Sequence, residues 1–191
     1  RRSSDLGEAS NQSTVSNSGS LPTAAGDNDT VSYAGAAYVF VRSGTSWSQQ
    51  AYLKAPNAES SDQFGLSVSI SGDSIVVGAY TEDSNQSTVS NSGSLPTPAG
   101  DNDAANSAGA AYVFVRSGTN WSQQAYLKAP NAETNDQFGQ AVSISGDTIV
   151  VGAHGEASNQ STVSNSGSLP TAAGDNDAAS YAGAAYVFVR Q

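Results

Sequence analysis

Apolar residues recur along this chain at alternate positions or in short β-branched runs, never at the three-to-four spacing that lays a stripe along a helix. From Leu66 to Ser71, Val68 and Ile70 point one way and Ser67, Ser69 and Ser71 the other, which predicts a first strand. Gly72-Asp73 reads as a tight turn, and the Val/Ile-rich run Ser74 to Ala79 predicts a second strand covered on both faces. About thirty residues rich in Ser, Asn, Gly, Pro and Asp follow, and these predict a long loop. A third strand is predicted from Ala110 to Arg116, where Tyr112 and Phe114 alternate with Val113 and Val115. Ser117-Gly118-Thr119-Asn120 then turns the chain into a fourth, Trp121 to Ala129.

The pattern repeats. GAAYVFVR occurs at 35–42, 109–116 and 183–190, and SNQSTVSNSGSLPT starts at Ser10, Ser84 and Ser158, each step being 74 residues. Residues 43–116 and 117–190 differ at 12 of 74 positions, so the two stretches must share one fold. Four short antiparallel strands at a fixed period predict an all-β array of propeller-type blades. The copies divide the chain into a partial blade over 1–56, a complete one over 57–130 and a partial one over 131–191. Arg1 to Asp5 align with Ile75 to Ala79 and resemble them in nothing, so no strand is expected there. Closed propellers need about four to eight blades. An incomplete ring with half-blades at its ends exposes strand edges that template pairing with another chain. Two alternatives stay open: a piece of a longer array, or copies joined end to end, which gives a fibre when the contact is head-to-tail and does not close.

Phe64-Gly65, SISGDSIVVGAY and GAAYVFVRSGTSWSQQAYLKAP together resemble the FG-GAP repeat in its bacterial variety, akin to the blades of the integrin α-subunit propeller. The resemblance covers nearly all of the chain outside the long loop. It implies that Phe-Gly begins the innermost strand of each blade and that Gly-Ala ends the second. Tyr80 or His154 stands after Gly-Ala where the family carries Pro, and the loop between the second and third strands is longer than the family's. Family calcium loops lie between the first and second strands, where Gly72-Asp73 and Gly146-Asp147 leave room only for a turn, so those ligands are not carried over.

Charge narrows the partners. With 17 acidic and 7 basic residues the net charge is -10, which repels nucleic acid and anionic lipid and favours cations. The absence of Cys removes disulfides, thiolate metal sites and thiol nucleophiles. No apolar run approaches the roughly 20 residues that span a bilayer. Arg1-Arg2-Ser3-Ser4-Asp5 lacks the apolar core of a signal peptide, so a soluble, processed chain is expected.

Each copy carries an Asp-Asn-Asp tripeptide, with Asp27 and Asp29, Asp101 and Asp103, or Asp175 and Asp177, preceded by Glu8, Glu82 or Glu156. Hard oxygen ligands at alternate positions suit Ca²⁺, although the full Asp-x-Asp-x-Asp-Gly loop is absent. The competing reading is that Asp and Asn rigidify turns by bonding their own backbone. Asn11, Asn85 and Asn159 open N-Q-S, Asn28 opens N-D-T and Asn120 opens N-W-S, acceptor triplets for N-linked sugar that also arise by chance in a Ser/Thr-rich chain. Trp47, Trp121, Tyr52 and Tyr126 offer a sugar-stacking platform or, as strand aromatics usually do, core packing. His154, the one histidine, has Tyr80 and Leu6 as its counterparts, so no repeated site uses it. Without Cys, a repeated His or a phosphate loop, the sequence predicts no enzyme.

The expected function is an extracellular structural or adhesive repeat protein, a subunit of a filament or surface assembly. The strand Ala36 to Arg42 of one chain, with Ala36, Tyr38 and Phe40, would pair with the third blade of the next chain, which carries Tyr186 and Phe188. The alternative is a calcium-dependent or glycan-binding propeller domain of a larger secreted protein. The expected partners are copies of the chain itself, surface glycans or proteins, and Ca²⁺, with no organic cofactor, no nucleic acid and no membrane span.

Overall fold

The computed structural model describes residues 15–17, 31–91, 102–165 and 177–191, and among these there is no helix. Eleven strands are described: β1 (Ser16–Asn17), β2 (Ala37–Ser43), β3 (Ser46–Leu53), β4 (Ser67–Ser71), β5 (Ser74–Ala79), β6 (Ser90–Asn91), β7 (Ala110–Ser117), β8 (Asn120–Leu127), β9 (Phe138–Ser145), β10 (Thr148–Ala153) and β11 (Ala184–Val189). They form three antiparallel sheets, ordered β1-β3-β2, β4-β5-β7-β8-β6 and β11-β10-β9, and no ring closes among the described residues.

The four predicted strands of the second copy are β4, β5, β7 and β8, hydrogen-bonded in chain order. The expected plain loop differs: within it, Ser90 and Asn91 form β6 and pair with Tyr126 and Ala125 on the outer side of β8. β1 does the same to β3 in the first sheet. A strand edge presents unpaired backbone groups, and a short segment of the adjoining loop satisfies part of that row and covers the edge. Polar composition hid it, because two backbone-paired residues need no apolar side chain.

Registers repeat between copies. Ser74 faces Val115 across β5 and β7, and Thr148 faces Val189 across β10 and β11. The β2/β3 and β7/β8 ladders both shift after the valine at 39 and 113. Two apolar clusters fill the spaces between sheets, one around Phe64, Tyr112, Phe114 and Trp121, the other around Phe138, Ile144 and Val151. In β4 the predicted alternation holds, and it is the serine face that packs onto β9, while Val68 and Ile70 stand exposed. β5 is covered on both faces as expected, whereas Val150 of the equivalent β10 is exposed because no further sheet lies against that face among the described residues.

Candidate functional site

The joints between successive sheets depend on backbone approaches that only glycine permits. Phe138 and Gly139, opening the third sheet, cross the Gly109-Ala110 pair of the second. A Cβ on Gly139 (φ +93°) would lie 2.1 Å from Ala110 O, and one on Gly109 (φ +83°) would lie 2.1 Å from Phe138 O. Gly35 and Gly65 repeat this crossing one copy earlier. The serines of β4 complete the joint: Ser67 Oγ donates to Gly139 O at 2.6 Å, while Ser69 and Ser71 Oγ accept from the amides of Ile144 and Gly146. The Phe-Gly pairs are therefore structural, as expected.

A buried polar network pins the long loop to its sheet. Glu82, 1% exposed, lies just beyond β5 where that loop begins. Its carboxylate accepts from Tyr126 OH at 2.8 Å, Asn57 Nδ2 at 3.1 Å and Lys128 Nζ at 2.8 Å. Lys128 Nζ also donates to Ser84 O at 2.6 Å, and Tyr112 OH donates to Asn57 Oδ1 at 2.9 Å. The third copy rebuilds part of it: Asn131 donates to Glu156 and Tyr186 OH donates to Asn131. Glu82 and Glu156, which precede the acidic tripeptides in the sequence, are thus internal anchors of the loop. Both are buried and hold protein donors, which offset the cost of desolvating a carboxylate. Their signal in the sequence was an unchanging Glu, Asn and Lys at equivalent places in a chain poor in charge.

Asp62, 4% exposed, accepts from the amide of Glu59 at 2.7 Å. Burial pushes its carboxyl up to about 8, the Glu59 amide opposes the shift, and the nearby Glu82, Glu59 and Asp83 carboxylates add to it.

Among the acidic tripeptides, Asp27, Asp29, Asp101 and Asp175 lie outside the described residues. Asp103 and Asp177 are exposed and share a left-handed backbone, φ +40° in each. Asn102, between the second pair, accepts from the amide of Ala104, a local bond of the turn-rigidifying kind, and from that of Asn85 at the other end of the loop. Among the described residues no three acidic or histidine side chains gather as a metal-binding group. Asn85, Asn120 and Asn159 are exposed, whereas Asn11 and Asn28 lie outside the described residues. His154 is exposed and tilts against Tyr181.

The tryptophans divide. Trp121 is 2% exposed in the core with Tyr126 in the same apolar cluster, and Tyr52 is buried too, whereas Trp47, at the same place in the preceding copy, is 67% exposed. Of the predicted assembly residues, Tyr38 and Phe40 lie on β2 and are about half exposed, with Ala36 just before that strand. Tyr186 and Phe188 lie on β11 and pack edge-on against Phe138. β2 and β11 are each the last strand of their sheet on one side.

No helix among the described residues is long and apolar enough to cross a membrane. The family model described as FG-GAP repeat matches residues 47–95 and 121–169. No curated protein and no solved structure matches the chain.

Proposed function

From the premise that the chain belongs to the FG-GAP repeat family, we propose that it is an extracellular structural and adhesive repeat protein, the subunit of a filament or surface assembly joined by β-strand pairing. Each 74-residue period is then one four-stranded propeller-type blade, of which β4, β5, β7 and β8 make the complete example. Residues 1–56 and 131–191 are partial blades.

One observation carries the reading. Among the described residues, β2 and β11, strands built on the same run GAAYVFVR at 35–42 and 183–190, each stand at the edge of their sheet. Such an edge presents unpaired backbone groups with which a strand of another chain can pair. In this reading the role is non-enzymatic. The loops add repetition: the same polar segment recurs in each copy, and many weak identical contacts sum through multivalency.

The ligand-binding alternative is favoured by family membership and by exposed Asp103 and Asp177 on that segment. In that case Ca²⁺ or a surface glycan is the ligand, with Asp101 and Asp175 as further cation ligands and the exposed Asn sequons as attachment points for sugar.

Sedimentation velocity and negative-stain electron microscopy, each with calcium and with chelator, test the two readings. Species well above 19.3 kDa that form regular fibres support the assembly reading. Loss of fibres in chelator assigns a cation to the loops. A monomer under both conditions refutes assembly. Deletion of residues 1–42 removes β1 and all of β2 but Ser43, and is expected to abolish assembly while leaving the middle sheet folded.

A further inference from the structure

Lys128 and Asn57 meet on one carboxylate. Glu82 Oε2 accepts from Lys128 Nζ at 2.8 Å, and Glu82 Oε1 accepts from Asn57 Nδ2 at 3.1 Å. Lys128 Nζ also donates to Ser84 O at 2.6 Å, which fixes one of its hydrogens. Tyr112 OH donates to Asn57 Oδ1 at 2.9 Å, and Tyr126 OH donates to Glu82 Oε1 at 2.8 Å. Lys128, Asn57, Glu82, Tyr112 and Tyr126 are each at most 1% exposed.

An ion pair alone needs only the lysine and the glutamate. Here the same carboxylate also holds a primary amide by its nitrogen, and the oxygen of that amide faces a phenol. An amine, an acyl carbon, a carboxylate placed to move protons between the two nitrogens and a donor aimed at the carbonyl oxygen are the groups that acyl transfer uses. They come from separate parts of the chain: Asn57 follows β3, Glu82 follows β5, Tyr112 lies on β7 and Lys128 follows β8. Only folding brings them together. The arrangement of carboxylate, amide and phenol is built twice, since Asn131 Nδ2 donates to Glu156 Oε1 at 3.1 Å and Tyr186 OH donates to Asn131 Oδ1 at 2.7 Å.

We propose that the folded chain joins Lys128 to Asn57 through an amide bond between Nζ and Cγ, with release of ammonia. Lys128 passes a proton to Glu82 Oε2 along their hydrogen bond, a transfer that burial favours because it removes two charges from apolar surroundings. The neutral Nζ, still donating to Ser84 O, attacks Asn57 Cγ, and the Tyr112 hydroxyl meets the negative charge that develops on Oδ1. Glu82 gives its proton to Nδ2 and takes one from the attacking nitrogen, the Cγ–Nδ2 bond breaks, and the remaining proton leaves with ammonia as ammonium. Lysine ammonium and carboxamide thus become a secondary amide and ammonium, with atoms and charge conserved and no oxidant or cofactor required. Escape of ammonia to solvent drives the step forward, and the fixed placement of the groups supplies its rate. The ion pair is the state of the newly folded chain, and the amide that of the aged one. All the groups belong to one chain, so the inference stands apart from the assembly reading.

The intact mass of the full-length chain, read soon after folding and again after long incubation, tests this. The aged wild type is expected to be lighter by one ammonia. Trypsin should then leave residues 55–116 joined to 117–190, with cleavage at Lys128 lost. Lys128→Arg keeps a cation beside Glu82 but has no amine to acylate, and is expected to retain its full mass while the emission of buried Trp121 stays native. Glu82→Gln and Tyr112→Phe are each expected to slow the loss of ammonia about 100-fold or more. An aged, folded wild type of full mass overturns the proposal. So does loss of ammonia with the two peptides separate, which is the mark of ring closure at an asparagine instead.

Discussion

Replacing Lys128 with Met tests the network that ties the long loop to its sheet. Lys128 Nζ and Glu82 Oε2 are 2.8 Å apart, with side chains 0% and 2% exposed. At that depth solvent screens almost nothing, so the pair differs in kind from the exposed Arg116–Asp73 bridge, whose aspartate is 67% exposed and whose net worth is about 0–1 kcal/mol. Methionine approximates the lysine stem and packs where the stem packed, so the substitution removes the charge and two hydrogen bonds with little loss of volume. What remains is a buried carboxylate held by neutral donors, Tyr126 OH and Asn57 Nδ2 among them. Breaking a buried pair in this way costs about 3–5 kcal/mol, a large part of the 5–15 kcal/mol that holds a typical domain together. The Glu82→Gln, Lys128→Met double variant removes both charges and keeps an oxygen to accept from Tyr126 and Asn57, so it is expected to recover more than half of the loss. Urea titration followed by the emission of buried Trp121 reads the result. At about 2–3 kcal/mol per M, the single variant's midpoint falls by about 1 M or more. A single variant within about 1 kcal/mol of wild type, or a double variant no better than the single, would refute the account.

Asp62 carries a pH dependence. Its carboxyl ionises near 3.8 when exposed and near 8 when folded, so between those values the native state alone holds the proton. Its stabilising contribution is complete below about 3.8, falls by about 1.4 kcal/mol per pH unit, and is gone once the pH has risen through about 8. Asp62→Asn should flatten that part of the stability curve measured by denaturation at several pH values; an unchanged slope would exclude Asp62 as its source. Gly139→Ala should destabilise by more than about 3 kcal/mol or prevent the joint from forming, since strain at positive φ adds to a clash with Ala110 O. Gly118→Ala, at φ +63° with open space around its Cβ, should cost only about 1–2 kcal/mol in the same melts, and equal losses at the two sites would count against the glycine-gated joint.

Local pattern foretold the strands because each is a statement about near neighbours. Ser74–Ala79 is a strand at the predicted limits, Gly72-Asp73 turns tightly into it, and the third and fourth strands moved by no more than two residues at an end. The short β6 was not legible, because a backbone-paired edge of Ser and Asn leaves no hydrophobic trace. The role of Glu82 was not legible either, since its lysine lies 46 residues away and only folding brings them together.

The 74-residue repeat by itself determined which segments become strands and how each hairpin turns, and among the described residues equivalent strands pair in the same register. It could not determine which copies of a repeated residue lie inside. Trp47 and Trp121 sit in nearly the same local sequence, yet one is 67% and the other 2% exposed. Tyr38 and Tyr112 divide in the same way, at 49% and 0%. Strand formation is settled by a residue and its neighbours in the chain, whereas burial is settled by what packs across from it. Only the tertiary structure decides that, because the apolar surface of a sheet leaves water only where another sheet is present to meet it.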